Sequence, residues 1–250
     1  METVTTRFAA GRQNAAPTPR RRALVVAVTI ALLVAVNLTI GFGPAKIGLI
    51  AGPAVAVVLV GLARRMGLTW HDLGLSKHTW RKGAAYAGVA LLIVGAIYVI
   101  GALLPLTSTM FLDVRYDIAI GSALFLALVI IPIKTVLLEE IAFRGVLLGL
   151  FRRPLGAAWA AGASSALFGL WHILPALGLG SQNKAVDAAA GPGSQLLVVA
   201  GVVAFTALAG VLFAELRRRS GSILASAGLH WATNGLGVLL SSVLWAAKTV

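Results

Sequence analysis

The stretch IAIGSALFLALVIIPIKTVLLEEIAFR, residues 118–144, decides how this chain folds, because it is long and apolar enough to cross a bilayer as a helix. It nevertheless carries two adjacent carboxylates, Glu139 and Glu140, and the guanidinium of Arg144. A single charge near the middle of a bilayer costs about 2.5 to 3.5 kcal/mol on insertion scales. We therefore expect these side chains to face the protein interior, to be paired, and to have a function.

The rest of the chain has the same apolar character. Its 250 residues are 59% hydrophobic and 12% charged, and the mean hydropathy of +0.93 lies outside the range of soluble domains. Runs of roughly 20 apolar residues occur at 23–42, 47–63, 83–105, 118–143, 158–178, 195–214 and 222–245. The sequence thus predicts an all-α polytopic membrane protein, a bundle of about seven to eight transmembrane helices.

Three regions are predicted along the chain. Residues 1–22 form a disordered basic cytoplasmic tail, and residues 23–117 form N-terminal transmembrane helices with an interfacial loop at 64–82. Residues 118–250 form a helical core that contains the intramembrane charges.

The formal net charge of +13 is explained by membrane topology better than by nucleic-acid binding. Most lysines and arginines lie between apolar runs, in the N-terminal tail, at 64–82, at 144–153 and at 217–219. The positive-inside rule puts these segments and the N-terminus in the cytoplasm. We expect an integral protein of a bacterial plasma membrane that binds no nucleic acid.

Two histidines supply the remaining candidates for chemistry. The chain has no cysteine, which excludes disulfides and thiol nucleophiles. Of its four histidines, only His172 and His230 lie within predicted spans, and Asn234 lies on the same helix face as His230. A lone intramembrane histidine most often bridges helices through hydrogen bonds, whereas two of them with a glutamate and an asparagine favour a site.

The spacing of Glu139, Glu140 and Arg144 separates two roles. Glu140 and Arg144 are four residues apart and can pair on one helix face, which leaves Glu139 free for another partner. A carboxylate beside an imidazole can deprotonate water, and histidine with an asparagine amide can donate hydrogen bonds to a tetrahedral intermediate. This set suits attack of water on an amide. The alternative is a charge clamp that only braces neighbouring helices.

Three motifs in this order resemble those of the CPBP intramembrane protease family, which includes the type II CAAX prenyl endopeptidases. The motifs are Glu139-Glu140-x-x-x-Arg144, Phe168-x-x-x-His172 and His230-x-x-x-Asn234. The resemblance covers about residues 120 to 245 and identifies residues 118–250 as a catalytic core. It implies an intramembrane glutamic endopeptidase that cleaves a peptide or protein substrate in or at the bilayer.

The resemblance also implies a role for each motif residue. Glu139 and His172 would activate the water, while His230 and Asn234 would form the oxyanion site. The other motif residues would be supporting: Glu140, Arg144 and Phe168.

Two alternatives are left open by the sequence. Two glutamates and two histidines could also bind zinc, manganese or iron; however, the chain lacks the His-Glu-x-x-His signature of zinc proteases, and we expect no cofactor. The chain could also be non-catalytic, either a membrane scaffold or bacteriocin self-immunity protein, or a proton-coupled carrier.

Helix lengths set a geometric condition on the site. A fifth helix that began at Gly156 would place His172 about 24 Å deep, whereas His230, counted from Gly221, would be about 13 Å deep. We therefore predict a turn near Pro154, a later helix start at about Ala160 or a strongly tilted span, and an interior cavity open to the cytoplasmic side.

Two more residues of the opening stretch are unusual for a membrane helix. Pro132 lacks a backbone donor and predicts a kink before Glu139. Lys134 is interpreted as a buried counter-ion or as a side chain that extends to the membrane surface.

Overall fold

The computed structural model describes residues 18–44, 46–191 and 194–248. Over these residues the secondary structure is helical, without strands, so the predicted all-α polytopic membrane fold is confirmed. The helices in chain order are α1 (Pro19–Phe42), α2 (Gly48–Arg65), α3 (Trp80–Leu103), α4 (120–155), α5 (157–171), α6 (Ile173–Ala176), α7 (Leu179–Gln182), α8 (Lys184–Ala190), α9 (Gln195–Ser220) and α10 (Ile223–Lys248).

Helices α4 and α5 arise from one helical segment. Six segments in the described part of the chain are long and apolar enough to cross a membrane, and Ile120–Trp171 has 52 residues. At 1.5 Å per residue it would extend about 78 Å, more than twice the thickness of the hydrocarbon core. Gly156, with φ 78° and ψ 173°, breaks it. The break divides this segment into two helices, α4 and α5.

Some helix boundaries differ from those predicted. Helix α1 begins at Pro19, with the Thr18 side chain as its cap, because proline suits the first helical turn. Arg20, Arg21 and Arg22 are therefore helical and do not belong to a disordered tail; residues 1–17 lie outside the described ranges. Helix α5 ends at Trp171, well before the predicted end of the fifth span.

Two parts of α4 are wound as π-helix, with hydrogen bonds from residue i to i+5. These parts are Leu126–Val136 and Glu140–Leu147. Pro132, where the sequence predicts a kink, lies inside the first of them. A wider helix can accommodate a residue without an N–H donor, and π-helical turns are frequent at functional sites.

The loop between α2 and α3 is fixed to the turn between α9 and α10. The Arg217 guanidinium donates through Nη2 to the carbonyls of His71 (2.8 Å) and Asp72 (3.0 Å). The backbone N–H of Ile223 donates to the carbonyl of Gly74 at 3.0 Å. These contacts hold together the end of the bundle where the basic segments lie, which we call the basic end.

The opposite end of the bundle has its own connections, and we call it the loop end. There the Asn183 amide donates to the carbonyl of Met110 (2.9 Å), and the Trp245 indole donates to the carbonyl of Asp113 (3.0 Å). The segment 104–119, the α7–α8 region and the end of α10 therefore meet at the loop end.

Candidate active site

Helix α4 buries the three charged residues of its motif, Glu139, Glu140 and Arg144. Their exposed fractions are 5%, 1% and 2%. Burial of this degree requires that each charge has a partner. The expectation from the sequence that these side chains face inward is met.

The Glu140 carboxylate contacts the guanidinium of Arg144 and the imidazole of His230. Its Oε1 lies 3.5 Å from Arg144 Nη1 and 2.9 Å from His230 Nδ1. The first contact is the i to i+4 pair expected from the spacing. The second joins α4 to α10, so that Glu140 connects the helix to the element that carries the second histidine.

Arg144 lies between two aromatic rings. Its guanidinium carbon is 3.9 Å from the ring centroid of Phe168 and 4.6 Å from that of Phe213. Such cation–π contacts attract more strongly when they are shielded from water. Phe168 therefore packs beside the site, against both Arg144 and His172.

Glu139 faces both histidines at once. Its Oε2 is 4.0 Å from Nε2 of His172 and 3.7 Å from Nε2 of His230. These distances exceed those of a hydrogen bond, and this buried oxygen has no hydrogen-bond partner among the residues described. Glu139 thus presents an acceptor oxygen to two imidazoles.

The hydrogen-bond partner of Nδ1 fixes the tautomer of each imidazole. His172 Nδ1 lies 2.8 Å from the carbonyl of Phe168; a carbonyl only accepts, so we assign the hydrogen to Nδ1. His230 Nδ1 likewise donates to the Glu140 carboxylate. In the neutral rings both Nε2 atoms are then free to accept a proton, and both point at Glu139.

A cavity of about 590 Å³ borders the site. Glu139, His172 and Asn234 are among its lining residues. His230 is not, and only 3% of it is exposed. With Nδ1 held by Glu140, His230 could donate to an oxyanion only through a protonated Nε2, whereas the exposed Asn234 amide needs no change of protonation.

The cavity extends from Glu139 towards the loop end. Its lining includes Met110 and Phe111 from segment 104–119, and Leu179 and Asn183 from α7 and the residue after it. The basic segments lie at the other end of the bundle. The sequence predicts a cavity open to the cytoplasm and also predicts basic segments in the cytoplasm. These two predictions conflict, because the cavity and the basic segments lie towards opposite ends of the bundle.

The depth condition derived from the sequence is met in part. The turn is present at Gly156, but the helix resumes at residue 157 and not near Ala160. His172 and His230 nevertheless contact the same carboxylate. The depth estimate counted residues from the turn before each helix, and it assumed that the two helices are parallel and begin at the same depth in the membrane. The tertiary structure does not have that arrangement.

Two polar residues of the cavity wall were not singled out from the sequence. The Asn37 amide donates to the carbonyl of Trp171 (2.9 Å), and the Tyr98 hydroxyl donates to the carbonyl of Thr233 (2.8 Å). Each fixes backbone next to a motif residue, His172 or Asn234. Their isolation as polar side chains within apolar runs was the available signal.

The fold and the site together define an integral membrane protein with a buried carboxylate and two imidazoles beside a cavity. Residues 121–236 match the family model described as type II CAAX prenyl endopeptidase Rce1-like, and all three motifs lie within this range. This match confirms the resemblance to the CPBP family that the three motifs indicate. No match was obtained among curated proteins or among solved structures.

Proposed function

We propose that the protein is an intramembrane endopeptidase in which Glu139 and His172 activate a water molecule for attack on a peptide bond. The observation that carries this proposal is the approach of His172 Nε2 to Glu139 Oε2, 4.0 Å apart, at the wall of the cavity. A water between these atoms could donate one hydrogen to each of them. The match of residues 121–236 to a family model of membrane proteases supports the class of reaction.

The reaction follows from the properties of these groups. As the water oxygen bonds to the peptide carbonyl carbon, Glu139 takes its proton, and the carbonyl oxygen becomes an oxyanion that accepts a hydrogen bond from Asn234. The carbon–nitrogen bond then breaks, and the proton passes to the leaving nitrogen. The products are a carboxylate and an amine.

His230 and Glu140 orient the base in this proposal. The Nδ1 contact of His230 with Glu140 aims Nε2 at Glu139, and Arg144 neutralises Glu140. This gives Glu139 a fixed position without a direct cation partner. A carboxylate held in this way can act as a general base.

The proposal takes the metal-independent form because the chain lacks the His-Glu-x-x-His signature of zinc proteases. Within the described ranges, no group of three or more histidine, cysteine, aspartate or glutamate side chains is placed to hold a metal ion. A metal-dependent protease remains the alternative from the same residues. It predicts stoichiometric metal in the purified protein and loss of cleavage with a chelator.

We place the reaction near the membrane surface at the loop end. The sequence alone suggested the cytoplasmic surface. The extension of the cavity towards the loop end, away from the basic segments, instead supports the opposite surface when the basic segments are cytoplasmic. Prenylated tails are substrates by the family's description, yet in a bacterium we expect unmodified membrane peptides.

The test compares matched variants of the purified protein on a peptide library read by mass spectrometry. Glu139→Gln and His172→Ala should each lower cleavage by roughly 10²- to 10⁴-fold, the size of a general acid–base contribution. Glu215→Gln and His78→Ala are the controls, because both residues lie away from the cavity lining, and they should cleave normally. Undiminished cleavage by either site variant would contradict the proposal.

A non-catalytic scaffold makes a different prediction in cells. A strain that lacks the protein should be complemented by the Glu139→Gln variant if the protein is a scaffold. An endopeptidase requires that this variant fails while being produced at the normal level.

A further inference from the structure

Lys134 is a charged residue of the cavity wall that the proposed reaction does not use. It lies five residues before Glu139 on α4, and both residues line the cavity. The sequence left two explanations for it, a buried counter-ion or a side chain reaching the membrane surface. Each can be compared with the contacts of the structure.

The counter-ion explanation does not fit. Among the ion pairs of the described residues none involves Lys134; the cavity carboxylates are Asp113, which pairs with Arg115, and Glu139, which faces the histidines. The Lys134 ammonium therefore has no carboxylate partner in the part of the chain that the structure describes. A cation in the cavity without such a partner attracts an anion from outside the protein.

The Lys134 stem packs against Gly48, the first residue of α2. A side-chain carbon at residue 48 would lie 2.6 Å from Cε and 3.1 Å from Cδ of Lys134. A larger residue at this position would require the lysine side chain to move. The amino end of a helix carries partial positive charge, so α2 repels the ammonium and does not explain its place.

We propose that Lys134 binds a carboxylate of the substrate and so determines specificity at the site, an inference that rests on the proposed function. Lys134 precedes Glu139 by about 7.5 Å along the helix, on the side of the loop end. An extended peptide advances about 3.3 Å per residue. The carboxylate therefore lies about two residues from the cleaved bond, and a flexible lysine widens this to between one and three.

The experiment uses a library of random dodecapeptides in detergent, cleaved and sequenced by mass spectrometry. One half of the library ends in a free carboxylate and the other half in a carboxamide, so that a terminal carboxylate is distinguished from an aspartate or glutamate side chain. The full-length protein should favour cleavage one to three residues from a carboxylate by roughly ten- to a hundredfold, the range of a charged hydrogen bond.

Three variants test separately the charge of Lys134, the position of its side chain and the effect of another nearby positive charge. Lys134→Met should reduce this preference to about one. Gly48→Ala should weaken it while the lysine is kept, because the new methyl group displaces the stem. Lys46→Met removes an exposed charge that does not line the cavity and should keep the preference.

Two results would overturn the inference. One is no preference for carboxylates in the unmodified protein, and the other is an undiminished preference in Lys134→Met. Absence of all cleavage would instead contradict the proposed function.

If no cleavage is observed, peptide binding still tests the role of Lys134. The affinity of the Glu139→Gln protein is then measured for one peptide as its free acid and as its amide. Tighter binding of the acid that is lost with Lys134→Met supports the inference, and equal binding of acid and amide contradicts it.

Discussion

Glu140 and Arg144 show what a buried charge requires at the residue scale. Arg144 has only Glu140 as a carboxylate partner in the described part of the chain, and two aromatic rings enclose its guanidinium. Glu140 in turn holds His230. In the proposed mechanism, the pair therefore acts through these contacts and not on the substrate.

The Arg144→Met variant should be strongly destabilised, because it leaves the Glu140 carboxylate buried beside a neutral histidine. Loss of one partner of a buried pair costs about 3 to 5 kcal/mol. Adding Glu140→Gln should recover part of this loss, since it removes the uncompensated charge. Thermal unfolding in one detergent measures both variants.

The surface provides the control for this comparison. Arg219 pairs with Glu215 and its side chain is 61% exposed, so that Arg219→Met should cost at most about 1 kcal/mol. If the single Arg144 variant and the double variant lost equal stability, charge pairing would not be the role of Arg144.

Gly156 is decisive at the scale of the element. Its φ of 78° and ψ of 173° lie in a region that only glycine enters readily, and nothing within 4 Å would meet an added side-chain carbon. The requirement for glycine is therefore one of backbone conformation and not of space. The turn it makes returns α5 into the bundle and brings His172 to Glu139.

The Gly156→Ala variant should lose about 1 to 3 kcal/mol of stability, the strain of a non-glycine residue in this region. Gly162→Ala is the matched control, because Gly162 also has open space around it but lies in regular helix. There alanine should be neutral or stabilising by up to about 1 kcal/mol. A similar loss in both variants, measured by thermal unfolding, would contradict this account of the turn.

The whole molecule has two different ends. Arginines and lysines concentrate at the basic end, while the cavity extends to the loop end. Orientation in the membrane therefore decides on which side a substrate enters. Because the chain contains no cysteine, single cysteines can report that orientation directly.

Leu106→Cys and Lys77→Cys mark the two ends, and both positions are exposed. With a membrane-impermeant maleimide on intact cells, Leu106→Cys should be labelled and Lys77→Cys should not, until the membrane is permeabilised. This follows from placing the basic segments in the cytoplasm. The reverse labelling would restore the cytoplasm-facing cavity that the sequence alone suggested.

Much of the site was predictable because its signals are local. Two glutamates and an arginine in a long apolar run predict burial and pairing, and the four-residue spacing predicts the contact of Glu140 with Arg144. The contact of His230 with Glu140 was not predictable, because it depends on how α10 packs against α4. Asn37 was missed for the same reason: its partner is a backbone carbonyl on a distant helix.

The sequence by itself determined the class of fold and the resemblance to the CPBP family, because apolar length, charge in an apolar run and motif spacing are properties of the chain alone. The tertiary structure decided which histidine nitrogen faces Glu139, that His230 lies behind the site while Asn234 borders the cavity, and towards which end that cavity extends. These features depend on the tilt and level of helices far apart in sequence. Glu139 acquires its two imidazoles only when the turn at Gly156 brings α5 back beside α4 and α10.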